Sequence, residues 1–167
     1  MKTIKIAALA ALLVLARCKA KQQAPLSRTI YPDATQAKAD VAGALKTAAA
    51  THKRVLLDFG GNWCGDCRAL DAYFHDPANE ALLSQNYVLV HVNIGHMDAN
   101  LDLAAQYEVP LDKGVPALAV VDEHGALVYS QKNGQFEDMR HMEASSVREF
   151  LAEWKPAAPC STTMVSC

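Results

Sequence analysis

Two cysteines separated by two residues, in Trp63-Cys64-Gly65-Asp66-Cys67, are the residues of this chain best suited to covalent chemistry. At the first turn of a helix that spacing brings the two Cβ atoms near disulfide-bonding distance. The free N–H groups and positive dipole end of the helix favour a thiolate there. The first thiol should therefore be more acidic than a free cysteine, whose pKa is about 8.5. On this reading Cys64 is the nucleophile. Cys67, one turn further in and more buried, is placed to attack the mixed disulfide that Cys64 forms and so release product. Gly65 leaves room for that approach. The same residues could instead form a static disulfide or half of a zinc site. Zinc calls for a second close pair, whereas Cys160 and Cys167 lie in a Pro-, Ser- and Thr-rich tail and the histidines show no ligand spacing. No metal is expected.

Asp58 lies six residues before Cys64 in Arg54 to Gly60, an otherwise nearly continuous apolar run. On a period-two strand it shares a face with Leu56 and Gly60. If the following helix packs on that face, the carboxyl lies beneath the cysteines. A carboxyl removed from water favours its neutral form, which suits a group that takes and returns the proton of Cys67 through water. The plainer reading is a solvated aspartate at a strand end.

The elements that must position these groups alternate along the chain. Asp33 to Ala50 reads as the first helix, with Val41 and Leu45 on one stripe and Asp33 with Gln36 as a capping box. Arg54 to Gly60 is a central strand covered on both faces, broken by Gly60-Gly61-Asn62. A helix from Cys64 to about His75 follows, then a short one opened by Asp76-Pro77 through Leu83. Tyr87 to Ile94 is a second buried strand, and Asp98 to Tyr107 is helical. Ala117 to Val121 turns at Asp122-Glu123-His124-Gly125 into Ala126 to Ser130, a hairpin. Ser146 with Glu149 is a capping box for a final helix carrying Val147, Phe150, Leu151 and Trp154. This order demands an α/β fold: a mixed sheet, parallel strands first and antiparallel hairpin last, with helices on both faces. Tyr73, Phe74 and Phe150 are core candidates, His91 a half-exposed sheet position, and His124 a turn residue. Met139 and Met142 beside His141 could suggest copper; the plainer reading is a loop covering the sheet edge.

Residues 1–17 carry a basic start and an apolar stretch from Ile6 to Ala16, the pattern of a signal peptide and too short for a comfortable membrane span. Leu15-Ala16-Arg17-Cys18 resembles the lipobox of bacterial lipoproteins, with Arg17 in the place of a small residue, so Cys18 is a candidate lipidation site. Residues 18–27 read as a polar linker, 28–155 as one domain and 156–167 as a tail. With 167 residues, 16 Lys+Arg and 18 Asp+Glu scattered along the chain, no basic patch gathers nucleic acid. Export to the bacterial periplasm, with a possible membrane tether, and a monomeric state are expected.

The Asp-Phe strand ending, the Trp-Cys-x-x-Cys and the downstream Gly-Val-Pro resemble the thioredoxin superfamily over roughly Asp33 to Trp154. The resemblance implies a thioredoxin-like fold and a cis proline, Pro116, facing the disulfide. It assigns Cys64 as attacking thiol, Cys67 as resolving thiol, Asp58 as proton carrier, and Trp63, Val115 and Pro116 as the substrate platform. Thioredoxins commonly carry proline where this chain has Asp66. A negative charge between the sulfurs opposes the Cys64 thiolate and shifts the couple toward reducing behaviour, although Asp66 could simply satisfy free helix N–H groups. The expected activity is therefore reduction of protein disulfides without an organic cofactor, fed by an electron-donor redox protein. Disulfide oxidase or isomerase activity and a non-catalytic module binding copper or protein are the alternatives.

Overall fold

The computed structural model describes residues 29–157. The leader, Cys18, the 18–27 linker, residue 28, Cys160 and Cys167 lie outside the described residues. The run Arg54–Gly60 forms β1, buried from Val55 onward. Its neighbours are Tyr87–Asn93 (β2), which pairs with it in parallel, and Ala117–Val121 (β3), which pairs antiparallel. Leu127–Ser130 (β4) completes the hairpin with β3, giving the order β2-β1-β3-β4. The strand that carries Asp58 is thus flanked on both edges, which explains its run of apolar residues. The hairpin turn is closed by Asp122, whose Oδ1 accepts from the His124 and Ala126 amides at 2.9 and 2.8 Å. Gly125 supplies the positive φ, +85°, that the turn needs.

Helices cover both faces. On one side, Ala37–Thr51 (α1) lays Val41, Ala44 and Ala48 against Val55, Leu57 and Phe59, and Leu101–Gln106 (α4) adds Leu103 and Ala104. On the other, Leu56, Leu118 and Val120 meet Leu70 and Phe74 of Gly65–Phe74 (α2), Leu83 of Pro77–Asn86 (α3), and Val147, Phe150 and Leu151 of Ala144–Glu153 (α5). Phe74 and Phe150 are core residues; Tyr73 is partly buried and its hydroxyl donates to the Met142 carbonyl at 2.8 Å. Strand alternation puts Asp58 on the α2 face with Leu56. No helix among the described residues is long and apolar enough to cross a membrane.

The departures from the sequence expectations are local and have local causes. The Asp33 side chain accepts from the Thr35 amide rather than forming a reciprocal box, and a 3-10 turn at Ala34–Gln36 precedes α1. The helix expected from Asp98 begins at Leu101. Gly95, Met97 and Asn100 all take positive φ, and the Asp98 carboxyl accepts from the His96 amide, closing a turn instead of a helix. The final helix begins at Ala144, so Ser146 lies inside it and caps nothing; Glu143 occupies the cap position without a side-chain cap bond. That helix is held by its buried stripe, not by its start. The segment bearing Met139 and Met142 contains the 3-10 turn Met139–His141, which packs on α2 and buries Met139 completely.

Candidate active site

The site forms where β1 ends and α2 begins. Cys64 is the N-cap residue of α2, with φ −81° and ψ 119°, and its Sγ accepts from the Cys67 amide at 3.1 Å. A backbone N–H that would otherwise lack a partner at the helix start therefore points at the sulfur. Cys64 and Cys67 are disulfide-bonded, their Cα atoms 5.2 Å apart. Cys64 retains 5% exposure and Cys67 none, so the outer sulfur is the one a partner can reach. The Val115–Pro116 peptide is cis, and the Val115 carbonyl oxygen lies 3.6 Å from Cys64 Sγ. Trp63 is 48% exposed beside these groups. Its indole N–H donates to the Gly95 carbonyl at 2.5 Å and its ring stacks on His96 at a centroid separation of 5.6 Å.

Beneath the disulfide is a polar cluster that sequence reasoning found only in part. Asp58 is fully buried. Its Oδ2 accepts from the Tyr31 hydroxyl at 2.7 Å and meets His91 Nδ1 at 2.8 Å. Toward an ionised carboxylate that ring nitrogen is the donor. Oδ1 is buried with no hydrogen-bond partner among the described residues. Tyr31 lies in the segment before α1, and Asn62 holds it there: the Asn62 Oδ1 accepts from the Ile30 and Tyr31 amides and its Nδ2 donates to the Tyr31 carbonyl. Burial, then the charge and hydrogen bond of Asp58, push the Tyr31 phenol well above its ordinary pKa, so it stays a donor. Gly60 makes this contact possible. A Cβ there would lie 2.8 Å from Cys67 Sγ and 2.5 Å from the Tyr31 hydroxyl, so both groups crowd into the space that the missing side chain leaves.

His91 sits further in than a half-exposed strand residue. Its side chain is 17% exposed, stands beside Asp58 in the β1–β2 register, and places Nε2 3.6 Å from Asp71 Oδ1 on α2. A signal for it existed in the sequence. Asp58 and His91 are the ionisable residues inside two apolar runs that must pair in parallel, and aligning the two strand ends puts them side by side. Tyr31 carried no such signal, because it precedes the first periodic segment.

Asp66 is not the bare charge that sequence reasoning treats it as. Its Oδ1 accepts from the Arg140 amide and Nε, each at 3.0 Å, and Arg140 Nη2 lies 3.0 Å from Oδ2. The carboxyl's hydrogen bonds thus go to the turn after β4, not to free amides of α2. Partial burial alone would raise the Asp66 pKa, but the hydrogen bonds and charge of Arg140, with a pull from His141, hold it below the usual carboxylate range. The guanidinium also lies 3.4 Å from where a Cβ on Gly65 would stand, and its pairing with Asp66 offsets the negative charge. This pair has a consequence for acid stability. A group whose pKa is lower in the folded than in the unfolded chain stabilises above about pH 4 and loses that contribution as pH falls through the carboxylate range. Arg140→Ala should therefore lower the urea midpoint at pH 7, with the gap to the parent closing toward about pH 3; a gap independent of pH would contradict the pairing.

A four-stranded mixed sheet between helix layers, with a Cys-x-x-Cys at a helix start facing a cis proline, defines a thioredoxin-type fold and site. A family model described as thioredoxin-like matches residues 35–123, and the chain belongs to that family. The crystal structure of a disulphide isomerase from Xylella fastidiosa Temecula1 is similar over 76% of this chain and 97% of that one, with 35% identity and a TM-score of 0.72. A protein disulfide-isomerase of Ricinus communis is 27% identical over 116 residues, which are 69% of this chain and 21% of that protein. Thioredoxin-3 of Dictyostelium discoideum is 37% identical over 49 residues, 29% of this chain and 44% of that protein. The chain thus matches only a fifth to less than half of these two relatives' own length.

Proposed function

We propose that this chain is a thiol–disulfide oxidoreductase acting on protein substrates, and that its net direction is reduction. The observation that carries the reading is the Cys67 amide donating to the Cys64 sulfur at the start of α2. The same N–H, with the helix dipole, stabilises the thiolate that attacks a substrate disulfide. In that step the Cys64 thiolate bonds to one substrate sulfur and the other leaves with the electron pair. Cys67 then loses its proton to Asp58 through water and attacks Cys64 Sγ, expelling the second substrate thiolate and closing the Cys64–Cys67 disulfide. Trp63, Val115 and Pro116 form the platform on which an extended substrate lies, with Gly65 and Asp66 at its edge. A base held under the resolving thiol favours completing the exchange, which is the basis for choosing reduction; Asp66, paired with Arg140, supplies no argument for it.

Continuous reduction needs a dithiol-bearing donor protein and no organic cofactor. The basic and apolar start of the sequence supports export to the periplasm, with Cys18 as the residue that would carry a lipid anchor. Isomerase activity is the second reading, favoured by what the Xylella fastidiosa structure is called. The test is capture. A Cys67→Ala variant cannot resolve its mixed disulfides and should accumulate covalent adducts through Cys64 that reductant dissolves. If Cys67→Ala forms no more adducts than a Cys64→Ser, Cys67→Ala double variant, the assignment of roles fails.

A further inference from the structure

Asp58 is sealed from water, so a proton it takes from Cys67 must be balanced by some route to the surface. Two imidazoles and a second carboxylate lie in sequence on one side of it. His91 Nδ1 is 2.8 Å from Asp58 Oδ2, and His91 Nε2 faces Asp71 Oδ1 at 3.6 Å. Asp71, on α2, is itself buried at 7% exposure. The same Asp71 Oδ1 lies 3.6 Å from His75 Nδ1, which also contacts the Asp71 carbonyl at 2.7 Å, and the His75 side chain is 42% exposed. The cluster therefore runs from a fully buried carboxyl to a half-exposed imidazole through groups that all bind protons. Tyr31, packed edge-on to His91 at 5.1 Å, closes its other side and donates to Asp58. A merely structural partner for Asp58 would not need a second buried carboxylate behind it.

We propose that His91 is a positioning residue that exchanges one proton with solvent, by way of Asp71 and His75, each time Asp58 exchanges one with Cys67. This rests on the oxidoreductase reading and deepens it. During resolution the Cys67 thiol gives its proton to Asp58 through an enclosed water. The Cys67 sulfur attacks Cys64 Sγ, the Cys64–substrate bond breaks, and the substrate thiolate leaves with the electron pair. Asp58 has become neutral, and His91, no longer facing an ionised carboxylate, releases its Nε2 proton toward Asp71 and the surface. The Asp58–His91 pair passes from one anion and one cation to two neutral groups, so the net charge of the pair is unchanged. When a donor dithiol later reduces the Cys64–Cys67 disulfide, Cys67 leaves as a thiolate and takes the proton back from Asp58. His91 then regains one from solvent. Among the described residues, the groups that set this exchange include Asp58 on β1, Asp71 and His75 on α2, and Tyr31 before α1.

Single-turnover reaction of the reduced protein with an aromatic disulfide such as 5,5′-dithiobis(2-nitrobenzoate) separates the two steps, because attack by Cys64 and resolution by Cys67 each release one coloured thiolate. In His91→Gln, which keeps a donor for Asp58 but does not titrate, the second phase should slow about tenfold or more between pH 6 and 8 and lose its inflection. The first phase should stay within about twofold of the parent. Asp71→Asn should slow the second phase in the same direction. A second phase with unchanged rate and inflection in His91→Gln overturns the proposal, whereas a parent protein with no second phase overturns the oxidoreductase reading instead. A readout on the unmutated protein stands beside this: the 15N signals of the His91 ring should titrate differently in the dithiol and disulfide forms. Identical titrations in both forms contradict the coupling.

Discussion

Cys64→Ser should bring the reduction of insulin by dithiothreitol down to the rate of dithiothreitol alone. The site supplies one N–H at 3.1 Å and a helix dipole, which together favour the thiolate of a cysteine placed there. The same groups do not ionise a hydroxyl, whose intrinsic acidity is lower by many orders of magnitude. Among the described residues the other cysteine is Cys67, which is fully buried. Loss of structure would not explain the result, because the reduced parent and the variant both lack the disulfide and serine is itself a favoured residue at the N-cap position that Cys64 holds. Far-UV circular dichroism and the urea midpoint of the reduced proteins should therefore agree between parent and variant. Cys64→Ser that kept a rate well above dithiothreitol alone would place the nucleophile elsewhere.

The second large effect is expected at Asp58. Removing a positioned general base commonly costs 10² to 10⁴ in rate, so Asp58→Asn should slow the resolving step by about 10²-fold near neutral pH. Asparagine keeps an oxygen for Tyr31 and His91 and has nearly the same volume, so the fold should persist. The defect should shrink above about pH 9, where a cysteine thiol ionises without assistance. Attack by Cys64 on the first disulfide should change far less. A uniform loss of both steps, independent of pH, would mean that Asp58 shapes the site instead of carrying the Cys67 proton.

Most of the architecture could be read from hydrophobic periodicity. The apolar runs at 54–60 and 87–94, the hairpin with its Asp122-to-Gly125 turn, and the helix that opens at the Cys-x-x-Cys all follow from patterns a few residues long. The helix starts were less legible at Asp98 and Ser146, because a capping-type residue also closes turns or sits inside a helix, and packing decides which. The same division holds at the site. Cys64, Cys67 and Asp58 announce themselves by residue type against an apolar or helical background. Tyr31, Asn62 and Arg140 do not, since each reaches the site from a segment without periodicity and gains its meaning only from a partner distant in sequence. Asp66 shows what this omission costs an electrostatic argument: the sign of its charge was legible, but not the Arg140 that answers it.

The start of α2 should make the Cys64 thiol acidic. The most direct measurement is the rate of iodoacetamide alkylation of the reduced Cys67→Ala protein as a function of pH, followed by mass spectrometry at Cys64. An inflection well below the value of about 8.5 for a free cysteine is expected. An inflection at or above that value would contradict it.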